Sequence, residues 1–202
     1  MTSPSPPRRS QVQRSAATRY ALVAAARPLF ATHGFAAVGT ETIAAAAGVT
    51  RGALYHQFAD KAELFAAVVE SVEADLARQL ADTVAAASDP VDAMRLAVRA
   101  WLQACARPEV HRIVLIDGPS VLGWANWRRL CQSHVFGLVQ GMLVQAMELG
   151  RVRARPVVPL AHVLMGASDE AALYIAEAPD PVSARTEMTA ALDLLIDAIV
   201  VE

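Results

Sequence analysis

The stretch from Thr40 to Lys61, TETIAAAAGVTRGALYHQFADK, constrains the fold of this chain more than any other. Ile43 and Ala47 recur at helical spacing and therefore share one inward face. Thr40 can cap this first helix, because its hydroxyl can accept a hydrogen bond from a free amide in the first turn. Gly48 suits a tight turn that needs a positive φ angle. The pattern predicts a short helix that begins at about Thr40 and ends in a turn at Gly48.

A second short helix is predicted directly after the turn. Thr50 can cap it, Leu54 and Phe58 form its inner face, and Val49 is expected to be the buried plug between the two helices. This arrangement is a helix-turn-helix, in which the second helix is placed to read the major groove of DNA. The residues predicted to contact DNA face outward or lie at the two ends of the stretch: Thr40, Thr50, Arg51, Gly52, Ala53, Tyr55, His56 and Lys61.

The chemistry of three of these residues supports a DNA-binding role. The Arg51 guanidinium can bridge the O6 and N7 atoms of guanine. Gly52 lets the helix backbone come close to a sugar-phosphate chain. Lys61, the one lysine of the sequence, lies in the first turn of the next predicted helix, where a cation opposes the helix dipole. That local cost has no evident local gain in the sequence, so it indicates an external partner such as a DNA phosphate.

The segment GVTRGALYHQF followed by ADKAELF resembles the DNA-binding core of the TetR (tetracycline-repressor) family of bacterial transcriptional regulators. The upstream segment ALVAAARPLFATHGFAAVGT is similar to the first helix of that family, so the resemblance covers roughly residues 16–76. It implies a homodimer on a palindromic double-stranded DNA operator, phosphate contacts from Tyr55 and His56, and a helical body that binds a small-molecule effector. It also implies dimerisation through the last two helices, no enzymatic activity and no cofactor.

Three segments are predicted along the chain. Residues 1–15 form a disordered basic arm, which is either a solvated tail or a segment that touches DNA backbone or minor groove. Residues 16–76 form the helix-turn-helix domain, with the motif at about 39–58, and residues 77–202 form a helical ligand-binding and dimerisation domain. The first helix is expected from about Ser15 to His33, with Gly34 as its C-terminal cap and Pro28 as a kink or a division into two pieces.

Composition favours an all-α protein, because alanine is abundant and aromatic residues are only 5%, and the pattern along the chain gives about nine helices. Residues 1–60 carry six arginines against Glu41 and Asp60, which gives +4 and leaves −6 for the rest of a chain of net charge −2. A basic head on an acidic body fits one module that faces DNA and one that avoids it. The sequence shows no signal-peptide pattern, membrane span or metal-ligand spacing, so we expect a soluble cytoplasmic protein without a bound metal.

The body is predicted to contain five helices, over residues 90–106, 108–117, 124–149, 159–178 and 181–200, with a loop or broken helix between the second and third. Large or polar side chains among many alanines are candidates for a ligand pocket: Trp101, Cys105, Asp117, Trp124, Trp127, His134, Met142, Met165 and Asp169. Apolar residues of the last two helices are candidates for a dimer face: Leu164, Ala171, Tyr174, Met188, Leu192, Leu195 and Ile199. Ordinary core packing is the alternative for each of them.

The favoured function is a repressor that a small molecule releases from its operator. One alternative is a helix-turn-helix protein that uses its fold for protein contacts, which indifference of DNA binding to changes of Arg51 and Lys61 would support. The least favoured alternative is an enzyme that assembles Cys105, His111, Asp117 and His134 in the body. No nucleophile motif, phosphate loop or metal motif supports that alternative.

Overall fold

The computed structural model describes residues 11–201. These residues form an all-α fold, as predicted, with one isolated antiparallel bridge between Val152 and Val200. The α-helices are α1 (Gln11–Ala37), α2 (Thr40–Ala46), α3 (Arg51–Gln57), α4 (Lys61–Val84), α5 (Pro90–Cys105), α6 (Pro108–Val110), α7 (Gly118–Leu122), α8 (Trp124–Glu148), α9 (Val157–Glu177) and α10 (Pro181–Asp197). A π-helical segment, His111–Asp117, joins α6 to α7. If α6 to α7 count as one bent helix, the described chain has the nine helices that were predicted.

The chain divides into two compact units between Val68 and Val69, within α4. The predicted boundary, between residues 76 and 77, lies further along the same helix. Val72 and Leu76, which were assigned to the first domain, are buried and belong to the second compact unit. An unbroken helix carries no turn signal inside it, so the predicted boundary rests on the extent of the family resemblance.

The first unit is built on α1, α2, α3 and the first two turns of α4. Its core is a set of fully buried apolar side chains: Leu22, Ala26, Phe30, Ile43, Leu54, Leu64 and Phe65. The Phe65 ring packs edge-to-face on both Phe30 and Phe35, with ring centroids 5.2 Å apart in each pair. Such aromatic pairs add to the stability gained by burial alone.

The first helix differs from the prediction at its beginning. It already covers Gln11, the first described residue, so residues 11–14 are helical where a disordered arm was predicted. The rest of the predicted arm, residues 1–10, lies outside the described residues. Pro28 lies inside the helix, and only Gly34 leaves the helical region, with φ 78°. Burial of Ala26 and Phe30 on either side of Pro28 holds this stretch helical despite the missing amide.

The second unit packs α5, α8, α9 and α10 around an apolar core that includes Met94, Leu143 and Ile196. Asp89 caps α5 by accepting hydrogen bonds from Val91 N and Asp92 N. Two of the predicted breaks are glycines with positive φ, Gly123 at 74° and Gly150 at 68°. Among residues 11–201, no helix is both long enough and apolar enough to cross a membrane.

Candidate functional site

The helix-turn-helix forms as the sequence predicts, apart from one cap. Gly48 makes the turn with φ 67°, and the Thr50 hydroxyl accepts a hydrogen bond from Ala53 N at 3.1 Å. Leu54 and Phe58 are buried, with 0% and 1% of their surface exposed. The prediction that Thr40 caps α2 is wrong, because Gly39 is the N-cap residue and Thr40 is already helical.

The predicted DNA-facing residues differ in how far they reach the surface. Thr50, Arg51, Gly52, Tyr55 and His56 are exposed. Ala53 and Lys61 are half-buried, and Val49, predicted to be a buried plug, is also only half-buried. Thr40 is 8% exposed, and its Oγ1 lies 3.3 Å from the Tyr55 hydroxyl. Its side chain therefore links α2 to α3 instead of standing free at the surface.

Arg51 already has partners within the first unit. Its guanidinium lies 2.6 Å from the Glu41 carboxylate of α2 and 5.5 Å from the centre of the Tyr55 ring. Interaction with Tyr55 first, and the Glu41 charge second, raise the pKa of Arg51 further above its ordinary value. Both members of the ion pair are exposed, so the pair adds little stability, but it orients the side chain.

Lys61 has a local role that the sequence argument did not find. Its Nζ donates hydrogen bonds to the backbone oxygens of Phe35 at 2.9 Å and Val38 at 3.1 Å. The ammonium also lies 4.1 Å from the centre of the Phe35 ring. These contacts offset the unfavourable helix dipole, so the inference that the local cost points to an external partner was wrong. The acceptors lie more than twenty residues earlier, where no sequence spacing reveals them.

The start of α4 is capped on both sides. The Asp60 carboxylate accepts a hydrogen bond from Glu63 N at 2.7 Å, and the Glu63 carboxylate accepts one from Ala59 N at 2.6 Å. This reciprocal pair resembles a capping box. It fixes the position of Lys61 at the end of the first unit's helix-turn-helix.

Gly52 has no structural reason to be glycine. Its φ is not positive, and a Cβ placed there would meet nothing nearer than the Thr50 hydroxyl at 3.9 Å. Glycine inside a helix costs about 1 kcal/mol relative to alanine. The fold therefore does not require this glycine, while close approach by an external chain would.

The second unit contains a partly open cavity of about 80 Å³. Side chains of α4, α5, α8, α9 and α10 line it, and most of them are aliphatic. Four of the predicted pocket residues lie in its wall: Trp101, Met142, Met165 and Asp169. A mainly apolar cavity with few polar groups is the usual form of a small-molecule site.

The other five predicted pocket residues do not line this cavity. Trp127 is buried and donates a hydrogen bond from Nε1 to Val114 O at 2.7 Å, so it holds α8 to the π-helical segment. Trp124 is 59% exposed, and Asp117 lies 3.8 Å from Arg112. Cys105 and His134 have buried groups outside the cavity wall. Residue type alone could not separate these from the wall, because helix register decides which side faces inward.

Glu73 is the main cavity residue that sequence reasoning missed. It is 1% exposed, and its Oε1 has no hydrogen-bond partner among the described residues. Burial, followed by the nearby charge of Asp169, raises the pKa of Glu73 to about 8, although interaction with Cys131 opposes the shift. A signal was present: Glu73 is a charged residue between Val72 and Leu76 on the apolar side of α4.

Two further groups at the cavity are perturbed by the same environment. Burial raises the pKa of Asp169 to about 6, and the Arg128 charge partly opposes that shift. Burial also raises the pKa of the Cys131 thiol, and the charge of Glu73 adds to it. The Cys131 side chain is therefore a neutral thiol at physiological pH, not a nucleophilic thiolate.

The predicted dimer face is split between the inside and the outside of the subunit. Ala171 and Leu192 are buried in their own chain, and Leu192 and Leu164 line the cavity, so packing within the subunit accounts for these three residues; a place at a dimer face stays a prediction. Tyr174 and Leu195 are 52% and 45% exposed. Met188 and Ile199 are half-buried. The prediction missed two strongly exposed apolar residues on the same two helices, Val163 at 63% and Leu194 at 69%.

Comparison with protein families assigns both units. Residues 22–68 match the family model "Bacterial regulatory proteins, tetR family". Residues 91–199, more than half of the chain, match the model "Tetracyclin repressor-like, C-terminal domain". The protein belongs to the TetR family of transcriptional regulators, and the predicted resemblance is confirmed.

Individual relatives agree with this assignment. A TetR-family transcriptional regulator from Pectobacterium atrosepticum has 34% sequence identity and a TM-score of 0.84, with 96% of this chain and 99% of that chain covered. The regulator RolR in complex with resorcinol shares the fold, with a TM-score of 0.76, 19% identity and coverage of 94% and 90%. The transcriptional regulator AcrR of Shigella flexneri is 31% identical over 108 residues. That match covers 53% of this chain and only half of the length of AcrR.

Proposed function

We propose that this regulator is a dimeric repressor that binds a palindromic operator and leaves it when a small molecule enters the second unit. The observation that carries the proposal is the exposed set on α3, Arg51, Gly52, Tyr55 and His56, held in place by a buried Leu54 and Phe58. The fold supplies the shape of a DNA reader, and these side chains supply its chemistry.

Each exposed group has a distinct role in the proposal. Arg51 reads guanine in the major groove, because its guanidinium is exposed and already oriented by Glu41. Tyr55 and His56 donate hydrogen bonds to phosphates and set the position of the helix without reading sequence. Gly52 allows the backbone to approach the DNA closely, which agrees with the open space around it.

A dimer is proposed because one reader helix covers only a few base pairs. Two such helices about one turn of DNA apart read both halves of a palindrome. The apolar residues left exposed on α9 and α10, Val163, Tyr174, Leu194 and Leu195, provide a surface suited to a second copy of the chain.

The cavity supports the ligand-responsive part of the proposal. RolR, which shares this fold, was solved with resorcinol bound, so the fold accommodates a small aromatic molecule. Helix α4 carries Lys61 at its first residue and Glu73 at the cavity wall. In this proposal, ligand and DNA favour different positions of α4, so ligand binding at the cavity lowers DNA affinity.

A gel-shift titration with the DNA upstream of the protein's own gene tests the proposal. We expect the protein to shift this DNA in the presence of excess unrelated competitor, with an affinity that decreases as salt rises. Equal binding to the competitor would remove the regulator interpretation. Shifts that survive both Arg51→Ala and Lys61→Ala would favour a fold used for protein contacts.

A further inference from the structure

Among the polar groups of the cavity wall, the indole, hydroxyl and thiol donors already have partners, whereas one carboxyl oxygen has none. The Trp101 Nε1 donates to Ser168 O at 3.3 Å, and the Ser168 hydroxyl donates to Leu164 O at 2.9 Å. The Cys131 thiol interacts with the Glu73 carboxyl. Even so, Glu73 Oε1 remains without a partner among the described residues. A ligand that binds the ionised form of the Glu73 carboxylate must bring its own donors.

The charge of the wall points in the same direction. Among residues 11–201, the acidic groups that line the cavity are Glu73 and Asp169, and neither lysine nor arginine lines it. Arg128 of α8 acts on Asp169 from outside the wall. The other titratable groups that act on this pair are the thiols of Cys105 and Cys131, which carry no positive charge. An anionic ligand would therefore meet repulsion in a medium of low dielectric constant, and a cation would meet attraction.

We infer that the cavity binds a lipophilic cation: an apolar molecule that carries a protonated amine, held between Glu73 and Asp169. The aliphatic wall takes the apolar body, and Trp101 adds an aromatic surface that suits a cation. The ammonium gives a donor to the unpartnered Glu73 oxygen and a counter-charge to Asp169. This inference shares with the proposed function only the premise that the cavity takes a small molecule.

The two carboxyl groups also make the affinity of the site for a cation depend on pH. Burial holds the pKa of Glu73 at about 8 and that of Asp169 at about 6, so Glu73 is mostly protonated at neutral pH. A bound cation favours the ionised carboxylates and therefore lowers both pKa values. Binding then releases protons, and the affinity for the cation increases as pH rises from about 6 to about 8. A neutral alcohol shows no such gain.

Isothermal titration calorimetry of the full chain with three matched probes tests the inference. The probes are 4-phenylbutylamine, 4-phenylbutan-1-ol and 4-phenylbutyrate, which share one apolar body and differ only in the terminal group. We expect the amine to bind at least about tenfold more tightly than the alcohol, and the carboxylate to bind more weakly than both. Equal or tighter binding of the alcohol or the carboxylate overturns the inference, as does failure of the amine to bind at millimolar concentration.

Two isosteric variants assign the effect to the proposed residues. Glu73→Gln and Asp169→Asn should each weaken amine binding about tenfold and change alcohol binding less than about threefold. Glu70→Gln, on the exposed side of the same helix, is the matched control and should leave the preference for the amine intact. An unchanged preference in both cavity variants overturns the inference. Melting temperatures show whether each variant is folded, and either cavity variant suffices for the test.

The same protein samples separate this inference from the proposed function. Gel shifts on the upstream DNA are measured with and without 4-phenylbutylamine. If the amine binds with the expected preference but leaves the DNA complex unchanged, the ligand class stands and the ligand-responsive function fails. If the protein binds the DNA specifically but the amine shows no preference over the alcohol, the ligand class fails and the DNA-binding function stands.

Discussion

The surface of α3 and the wall of the cavity place their polar groups in opposite conditions. On α3, Arg51 and Tyr55 are exposed, and water or a new partner can replace their contacts at little cost. In the cavity, Glu73 is buried, and one of its carboxyl oxygens has no hydrogen-bond partner among the described residues. The first surface suits a large, highly charged partner met at the surface. The second suits a small partner whose donors compensate a cost already present in the fold.

The largest expected effect concerns the buried carboxyl. The raised pKa of Glu73 means that the contribution of this group to the free energy of unfolding is most favourable below about pH 4.3, the unfolded value, and is lost as pH rises to about 8. Glu73→Gln removes this loss and should stabilise the protein at pH 8 by on the order of 3 kcal/mol, with little change at pH 4. Urea unfolding at both pH values measures it, with Glu70→Gln as the exposed control. If Glu73→Gln and Glu70→Gln changed the free energy of unfolding equally at both pH values, the raised pKa of Glu73 would be contradicted.

Among the exposed residues of α3, Arg51 is the one whose replacement should change DNA binding most. Arg51→Ala should cost about 1–3 kcal/mol of operator binding per half-site and bring specific and unrelated DNA closer in affinity. Its stability should hardly change, because the ion pair with Glu41 is exposed. Fluorescence anisotropy with both DNAs measures the loss. Arg78→Ala removes an exposed arginine of the second unit and should leave both affinities unchanged.

Lys61 is intermediate between the exposed residues of α3 and the buried Glu73, because it is half-buried and donates hydrogen bonds to backbone oxygens. Lys61→Met should destabilise the first unit by about 1–2 kcal/mol through loss of the hydrogen bonds to Phe35 and Val38. If Lys61 also contacts a phosphate, the variant should weaken binding to all DNA sequences equally and lower the salt dependence. Thermal unfolding and salt-dependent anisotropy give the two readouts separately. Unchanged stability would contradict the local role seen in the structure.

The smallest expected effect is at Gly52, where the directions of the changes in stability and DNA affinity matter more than their sizes. Gly52→Ala should stabilise the fold by up to about 1 kcal/mol, because the added methyl group meets open space. The same methyl group should weaken DNA binding if the backbone of α3 approaches the DNA closely. Opposite signs in melting temperature and DNA affinity would support that approach, whereas a variant improved in both would argue against it.

The two regions also differ in how much the sequence reveals. The turn at Gly48, the Thr50 cap and the buried Leu54 and Phe58 were predicted because each depends on residues within four positions. The partner of Thr40 is fifteen residues away and the partners of Lys61 are more than twenty away, so these were missed. Local spacing carries helix caps and inner faces, but not contacts made by the packing of distant helices.

The cavity was harder to predict because five helices contribute to it. Trp101, Met142, Met165 and Asp169 were named on residue type, and they line it, but Trp127 has the same chemistry and holds the π-helical segment instead. The register of each helix, which comes from packing, decides between these outcomes. Asp169 was named among the cavity acids, but Glu73, which the sequence marks as a charge on an apolar helix side, was not.

Selection of binding sites from random duplex DNA by the full-length protein tests the central claim most directly. A dimer that presents two α3 helices should enrich an inverted repeat whose half-sites lie about one helical turn, roughly 10 base pairs, apart. Each half should contain a guanine whose identity is lost when Arg51→Ala is used in the same selection. Enrichment of no sequence, or of a single site without a repeat, would contradict the account of a dimeric, sequence-reading regulator.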